Sequence, residues 1–257
     1  MPELPDVEGY RRVLTTHLVG EVVRQVEVLD DSVIRNTTRR GVETTVRGRI
    51  LVRVERRGKW LVAAFGGPAL VFHCGMTGSL LATARGTAHD RFDRMVLVAT
   101  AEVRYRDARK LGGIWLAEDE AAIDDIIGPQ GPDARAVSHS ELTGRLRDRR
   151  GAIKPVLMDQ RVLAGLGNML SDEVLWRAGV DPTRSAASLG EDELELLRRS
   201  LRDVLRRSVR AGKIPRTAPW LSSQRDAENP VCPRCGGRLG RRPIGGRTAL
   251  SCRSCQR

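Results

Sequence analysis

Two Cys-x-x-Cys pairs, Cys232-Pro-Arg-Cys235 and Cys252-Arg-Ser-Cys255, stand sixteen residues apart near the end of the sequence. Each pair can present two thiolates from one tight knuckle. Four thiolates fill a tetrahedral Zn2+ shell and leave no position for water or substrate. The pattern predicts one structural, non-catalytic Zn2+ held by Cys232, Cys235, Cys252 and Cys255. Gly236-Gly237 and Gly245-Gly246 punctuate the intervening stretch as a β-hairpin. A segment so poor in apolar residues can take its folding energy from metal. A redox pair or two disulfides is the competing assignment, disfavoured under cytosolic conditions. The fifth cysteine, Cys74, lies in an apolar strand-end context and reads as buried.

Charge narrows the partner. The 257 residues carry 44 Lys and Arg against 32 acids, a formal net charge of +12, which suits a polyanion. Between Asn229 and Arg257 there are seven arginines and no acid, and a second cluster comprises Arg145, Arg147, Arg149, Arg150 and Lys154. These groups read as phosphate contacts, the alternative being solvated basic faces. The few aromatic residues (4% of the chain) are scattered, whereas a single-strand platform would interleave them with the basic ones. Duplex DNA is the expected partner. No apolar run approaches the roughly 18 residues of a membrane span, and the N-terminus lacks a signal-peptide pattern. A cytoplasmic location and no membrane partner are expected.

The chain changes character once along its length. After an opening helix over about 6–18, apolar alternation recurs at 21–29, 46–56, 60–65, 69–73, 94–100 and 103–105, as in a β-sandwich or barrel. Gly128-Pro129-Gln130-Gly131-Pro132 reads as a linker, and helical patterns follow. The clearest helix spans about 189–211, with Leu194, Leu197, Leu201, Leu205 and Val209 on one stripe and Ser188 with Glu191 as a capping box. The expected class is α+β and multidomain: a β-sandwich with an opening helix over 1–128, a helical domain over 129–228 and a zinc hairpin over 229–257. Within 151–182, two helices meet at Ala164-Gly-Leu-Gly-Asn168. Asn168 there is either a phosphate ligand at a helix N-terminus with free N–H groups or an ordinary cap.

Six segments, in order along nearly the whole chain, resemble the formamidopyrimidine-DNA glycosylase/endonuclease VIII family. They are Met1-Pro-Glu-Leu-Pro-Asp-Val-Glu8, Arg57-Gly58-Lys59, His73-Cys-Gly-Met-Thr-Gly78, Arg104-Tyr-Arg-Asp-Ala-Arg109, Leu163-Ala-Gly-Leu-Gly-Asn168, and Ile244-Gly-Gly-Arg247 ahead of the last cysteine pair. The resemblance implies a β-sandwich, a helix–two-turn–helix motif and a zinc hairpin. It further implies base-excision repair of double-stranded DNA carrying a damaged base or abasic site, by a monomer. Pro2, freed of Met1, would be the amine nucleophile, Glu3 the acid–base residue, and Lys59 a catalytic-site lysine meeting the backbone near the lesion. Asn168 and Arg247 match a phosphate-gripping pair. Met76, Arg109 and Leu111 match the residues that fill the space left by the everted nucleotide. His89 and Lys154 complete the expected DNA-binding set.

Three departures bear on specificity. Leu111 stands where the family usually has Phe, and Asp6 where it has Glu. The stretch Lys213 to Asp226 lacks the Gly-Gly-Thr-Thr-Leu-Arg-Asp-like loop with which 8-oxoguanine-specific members cap that base. Oxidised pyrimidines, ring-opened purines or abasic sites are therefore the expected substrates. A lyase with little glycosylase activity and a silent damage-binding module remain as alternatives.

Overall fold

Alternation in the first half of the chain resolves into eight antiparallel strands. In the computed structural model, which describes residues 1–257, they are β1 (Gln25–Val28), β2 (Arg53–Arg57), β3 (Trp60–Ala64), β4 (Ala69–His73), β5 (Ser79–Thr83), β6 (Asp93–Val98), β7 (Glu102–Arg106) and β8 (Gly113–Ala117). They form two four-stranded sheets, ordered β1-β6-β7-β5 and β2-β3-β4-β8. Apolar residues of both sheets, Val26, Met95, Leu97 and Tyr105 with Leu61, Leu70, Phe72 and Ile114, share one core with Val7, Leu14 and Leu18 of the opening helix α1 (Leu4–Leu18). This is the β-sandwich with an opening helix.

The expected strands at 21–29 and 46–56 contract to β1 and β2, and Val46, expected to open the second of them, instead ends a helix, α2 (Arg39–Val46). Thr38 caps it by accepting the Gly41 N–H, and Val42 and Val46 turn into the core. The β-branched run Thr44-Thr45-Val46 gives this helix little local signal, since such residues favour pleated surfaces. On the outer face of the second sheet, α3 (Glu120–Ile127) lays Ile123 and Ile127 over Val62, Val71 and Ala117.

The remaining elements are α4 (His139–Arg147), α5 (Ile153–Met158), α6 (Asn168–Ala178), α7 (Glu191–Ala211) and the hairpin β9 (Gly240–Ile244)–β10 (Arg247–Ser251). The stripe Leu194, Leu197, Leu201, Leu205 and Val209 is buried as expected. The expected Ser188 cap is corrected. Ser188 ends a 3-10 turn, α7 begins at Glu191, and the Gly190 N–H donates to Glu193 Oε2 at 3.0 Å.

The chain divides into two compact units: residues 1–2 with 6–129, and residues 3–5 with 130–257. Leu4 is wholly buried in the core of the second unit, with Leu163, Leu166, Leu170 and Val174. The hairpin also clusters with the second unit. No helix is long and apolar enough to cross a membrane.

Candidate active site and nucleic-acid interface

Glu3 is anchored by the start of α6. Its carboxylate accepts three backbone N–H groups, from Gly167 (2.8 Å), Met169 (2.8 Å) and Leu170 (3.1 Å), and Leu4 N–H donates to Gly165 O at 3.0 Å. A carboxylate at a helix N-terminus answers both the unpaired donors and the dipole. The glycines of the Leu163–Asn168 turn now have a reason. A Cβ on Gly167 would lie 2.5 Å from Glu3 Cδ, and one on Gly165, at φ +111°, 2.5 Å from Leu4 Cδ1.

This corrects the expectation of free N–H groups for a phosphate at this helix end: Glu3 occupies three of them. Nor is Asn168 a cap. Gly167 holds the N-cap position, and Asn168 Oδ1 is buried without a hydrogen-bond partner. Substitution Glu3→Gln is expected to set an amide N–H against backbone donors. It should cost about 1–3 kcal/mol of stability as well as roughly 10²–10⁴-fold in base excision. Thermal melts and single-turnover excision check the two effects separately.

Pro2 is buried in the first unit, and the division between units falls at the bond joining it to Glu3. Lys59 lies with Gly58 in the two-residue turn joining β2 to β3, where Gly58 takes φ +59°. The approach to this turn is braced by Arg56, whose Nε donates to Glu8 Oε2 at 3.2 Å while Nη1 donates to Gly58 O at 3.0 Å. Glu8 is 4% exposed; burial raises its pKa, but Arg11 and Arg56 outweigh that and hold it below the usual range.

His73, at the end of β4, packs against Trp60 with ring centroids 4.7 Å apart and the planes inclined at 50°. Burial, then the charge of Lys59, lowers its pKa below the ordinary 6.5, so it is neutral at pH 7. Neither Glu8 nor His73 was singled out from the sequence, although both lie inside the quoted motifs.

Met76, Arg109 and Leu111 come together in the first unit. Arg109 Nη1 lies 3.5 Å from Met76 Sδ, and the Gly75 backbone abuts that of Leu111 so closely that a Cβ on Gly75 would be 2.5 Å from Leu111 O. Met76 and Leu111 are 37% and 50% exposed, so both side chains are open to a partner. His89 sits elsewhere on this unit, in an open concavity of about 440 Å3 with Glu27, Arg85 and Glu102, its Nε2 3.8 Å from Glu27 Oε2.

Lys154, expected among the DNA contacts, is corrected. It is fully buried in α5, and its Nζ donates to Asp172 Oδ1 at 2.6 Å. Burial draws its pKa below the usual range. Asp172 Oδ2 also accepts from Arg225 Nη1 (2.5 Å) and Leu250 N–H (3.1 Å), so this charge network ties α5, α6 and β10 together inside the unit. A basic residue in a basic cluster reads as surface; only the distant acid reveals otherwise.

The residues standing in place of a capping loop are pinned to α6. Arg225 pairs with Asp172, and Ser222 N–H donates to Glu173 Oε2 at 3.2 Å. Trp220 is buried with Arg177 over its ring at 4.6 Å, and Arg216 pairs with Asp226 at 2.7 Å.

The four cysteines at the base of the hairpin converge, all Sγ atoms lying within 4.8 Å of one another. The Cys232–Cys255 and Cys235–Cys252 separations are 3.9 and 3.6 Å. A tetrahedron with Zn–S near 2.3 Å has edges of about 3.8 Å, so the donor set fits a single metal ion. Trp176 of α6 donates its indole N–H to Cys232 Sγ at 3.4 Å and packs with Leu239 and Leu250, seating the hairpin. At the far end of the ribbon, Arg247 is exposed beside the Gly245-Gly246 turn. Arg247→Ala is expected to weaken binding to lesion-bearing duplex and to reduce the salt slope of log Kd by about one. Titrations at several salt concentrations measure both.

A β-sandwich bearing an N-terminal proline motif, a helical unit whose turn clasps Glu3, and a four-cysteine hairpin define the class of base-excision DNA glycosylases. Family models agree: residues 1–114 match the formamidopyrimidine-DNA glycosylase N-terminal domain and residues 127–218 the formamidopyrimidine-DNA glycosylase H2TH domain. The chain is 33% identical over 276 residues to the formamidopyrimidine-DNA glycosylase of Pelotomaculum thermopropionicum, covering 100% of this chain and 99% of that protein. It is 34% identical to that of Geobacter metallireducens over 269 residues, covering 100% of both. Among solved structures, the Lactococcus lactis Fpg bound to a DNA containing N7-benzyl-Fapy-dG superposes with a TM-score of 0.87 at 27% identity over 100% of each chain. The same organism's enzyme bound to abasic-site DNA gives 0.86 at 26% over 99% of each.

The chain belongs to the formamidopyrimidine-DNA glycosylase family. Its enzyme class is DNA N-glycosylase with abasic-site lyase activity, acting in DNA repair.

Proposed function

We propose that this enzyme excises oxidised pyrimidines and ring-opened purines from duplex DNA through the Pro2 α-amine, then nicks the strand by β,δ-elimination. Once Met1 is removed, the neutral Pro2 nitrogen attacks the sugar C1′. The C1′–base bond breaks, and the base departs with the proton given up by the amine. The C1′–O4′ bond then opens as Glu3 delivers a proton to O4′, and the nitrogen becomes an iminium with no N–H to lose, so its positive charge persists as an electron sink. Loss of a C2′ proton expels the 3′-phosphate, and a second elimination expels the 5′-phosphate. Glu3 serves the proton transfers at the ring oxygen and leaving base. Lys59 meets the backbone near the lesion, and Asn168 and Arg247 grip flanking phosphates so that the nucleotide can leave the stack. Met76, Arg109 and Leu111 fill the space it vacates. Zn2+ held by the four cysteines supplies folding energy to the hairpin and carries no step. The protein acts as a monomer.

The observation that carries the catalytic assignment is the clasp on Glu3. Three N–H groups fix the carboxylate of the residue that follows Pro2 in the chain, so its oxygens are held in place before substrate arrives. The pinned segment 213–226 carries the lesion class. A stretch tied to α6 at Arg225, Ser222 and Trp220 lacks the freedom to close over a base, so no cap rewards 8-oxoguanine. Single-turnover excision from matched duplexes tests this. Oxidised-pyrimidine and ring-opened-purine duplexes are expected to be processed at least about tenfold faster than 8-oxoguanine, the factor that 1.4 kcal/mol represents. Equal or faster removal of 8-oxoguanine would overturn the lesion assignment. Nicking of abasic sites with no base release would favour a lyase with little glycosylase activity.

A further inference from the structure

We infer that Asp107 is a positioning residue for base eversion: one buried carboxylate that clamps the loop carrying Met76 to the loop carrying Arg109 and Leu111. The inference rests on these three residues being the ones that fill the DNA stack. Asp107 is fully buried just beyond the end of β7. Its Oδ1 accepts from Thr77 Oγ1 at 2.5 Å and from Arg109 N–H at 3.2 Å. Its Oδ2 accepts from Gly112 N–H at 2.9 Å and from the Tyr105 hydroxyl at 3.4 Å. Thr77 adjoins Met76, and Arg109 and Gly112 bracket Leu111, so the two oxygens address both loops. Arg109 N–H also reaches Thr77 Oγ1 at 3.1 Å, which closes the clamp.

The donors named lie on both loops, so the buried carboxyl depends on these hydrogen bonds, and losing any of them is costly. Lys110, between Arg109 and Leu111, takes φ +54°, a left-handed conformation unfavourable for a residue with a Cβ. It is held from outside by its own Nζ on Asp30 Oδ2 at 2.8 Å and by Arg35 Nη2 on its carbonyl at 3.2 Å. Pushing apolar side chains into a base stack demands a rigid backing. The clamp provides it without touching the chemistry at Pro2.

Stopped-flow fluorescence of 2-aminopurine placed beside a lesion, with single-turnover excision from a paired duplex and from an unpaired bubble, tests this. Asp107→Asn and Thr77→Val are expected to slow the fluorescence rise and duplex excision at least tenfold, leaving excision from the bubble within twofold. Thr77→Val removes one hydroxyl and keeps the carboxylate, so it reports even where Asp107→Asn fails to fold. Met76→Ala with Leu111→Ala serves as control. If that control slows insertion while both clamp variants insert at the wild-type rate, or lose duplex and bubble excision equally, the positioning role is overturned. If the control itself inserts normally, the assignment of the stack-filling residues fails, and this inference with it.

Discussion

Replacing Pro2 by glycine is expected to reduce the borohydride-trapped adduct on abasic-site DNA to background and to abolish incision that leaves phosphates at both ends of the gap. Glycine still offers an amine, and the reason for failure is electronic. A primary amine forms an imine that can shed its proton and its charge near neutrality. The proline iminium cannot, and elimination needs the charge. The attacking form must also be neutral; α-amino groups titrate near 8, so activity should rise with pH from mildly acid to neutral conditions. Affinity for a duplex containing an abasic analogue should survive, because Arg247 and Asn168 are untouched. Protein that retains Met1 should behave as the glycine variant does, since an acylated nitrogen has no lone pair to donate. Intact mass together with trapping yield across preparations tests that dependence.

Removing the metal should have the second large effect. Apparent binding energies of structural zinc sites run to about 10–16 kcal/mol, comparable with the whole stability of a domain. The hairpin has little else. Its apolar cluster is small, Trp176, Leu221, Leu239 and Leu250 around the cysteines, and its outer face is arginine-rich. Chelation, or Cys252→Ser, is therefore expected to unfold residues 229–257 and release Arg247, with loss of lesion-duplex binding. The sandwich core and the helical core are built from other residues, so most far-ultraviolet circular dichroism should persist. Trp176 emission should report the change, because its indole N–H leaves Cys232 Sγ. Metal analysis giving one Zn2+ per chain, with binding restored by Zn2+, completes the test. A metal-free protein that still binds lesion DNA with wild-type affinity would contradict it.

What could be read from the sequence was whatever local spacing encodes. The four cysteines converge because two knuckles and a hairpin leave them little choice, and the stripe from Leu194 to Val209 is buried because a 3.6-residue period exposes one face. Strand β4 reads directly from its apolar run. Long-range pairings were illegible. The Glu3 carboxylate finds its donors about 165 residues away, and nothing near Glu3 in sequence points to the N-terminus of α6; the same contact explains why the turn before Asn168 needs its glycines. Lys154 looked like a surface cation because its neighbours in sequence are arginines, whereas its partner Asp172 sits on the next helix. Asp107 lies inside a quoted motif, but nothing in its local sequence reveals the hydrogen bonds it accepts from both neighbouring loops. Helix α2 was hidden by β-branched residues whose preference the Thr38 cap and two buried valines override.

The most direct measurement is peptide mapping of the covalent complex. Enzyme and abasic-site duplex are trapped with borohydride, the DNA is digested to a short remnant, and the protein is cleaved and analysed by mass spectrometry. The remnant is expected on the peptide that begins at Pro2, with fragment ions placing it on the proline nitrogen and with Met1 absent from that peptide. A remnant on Lys59 or another lysine, or an adduct on protein that keeps Met1, would contradict the assignment of Pro2 as the nucleophile.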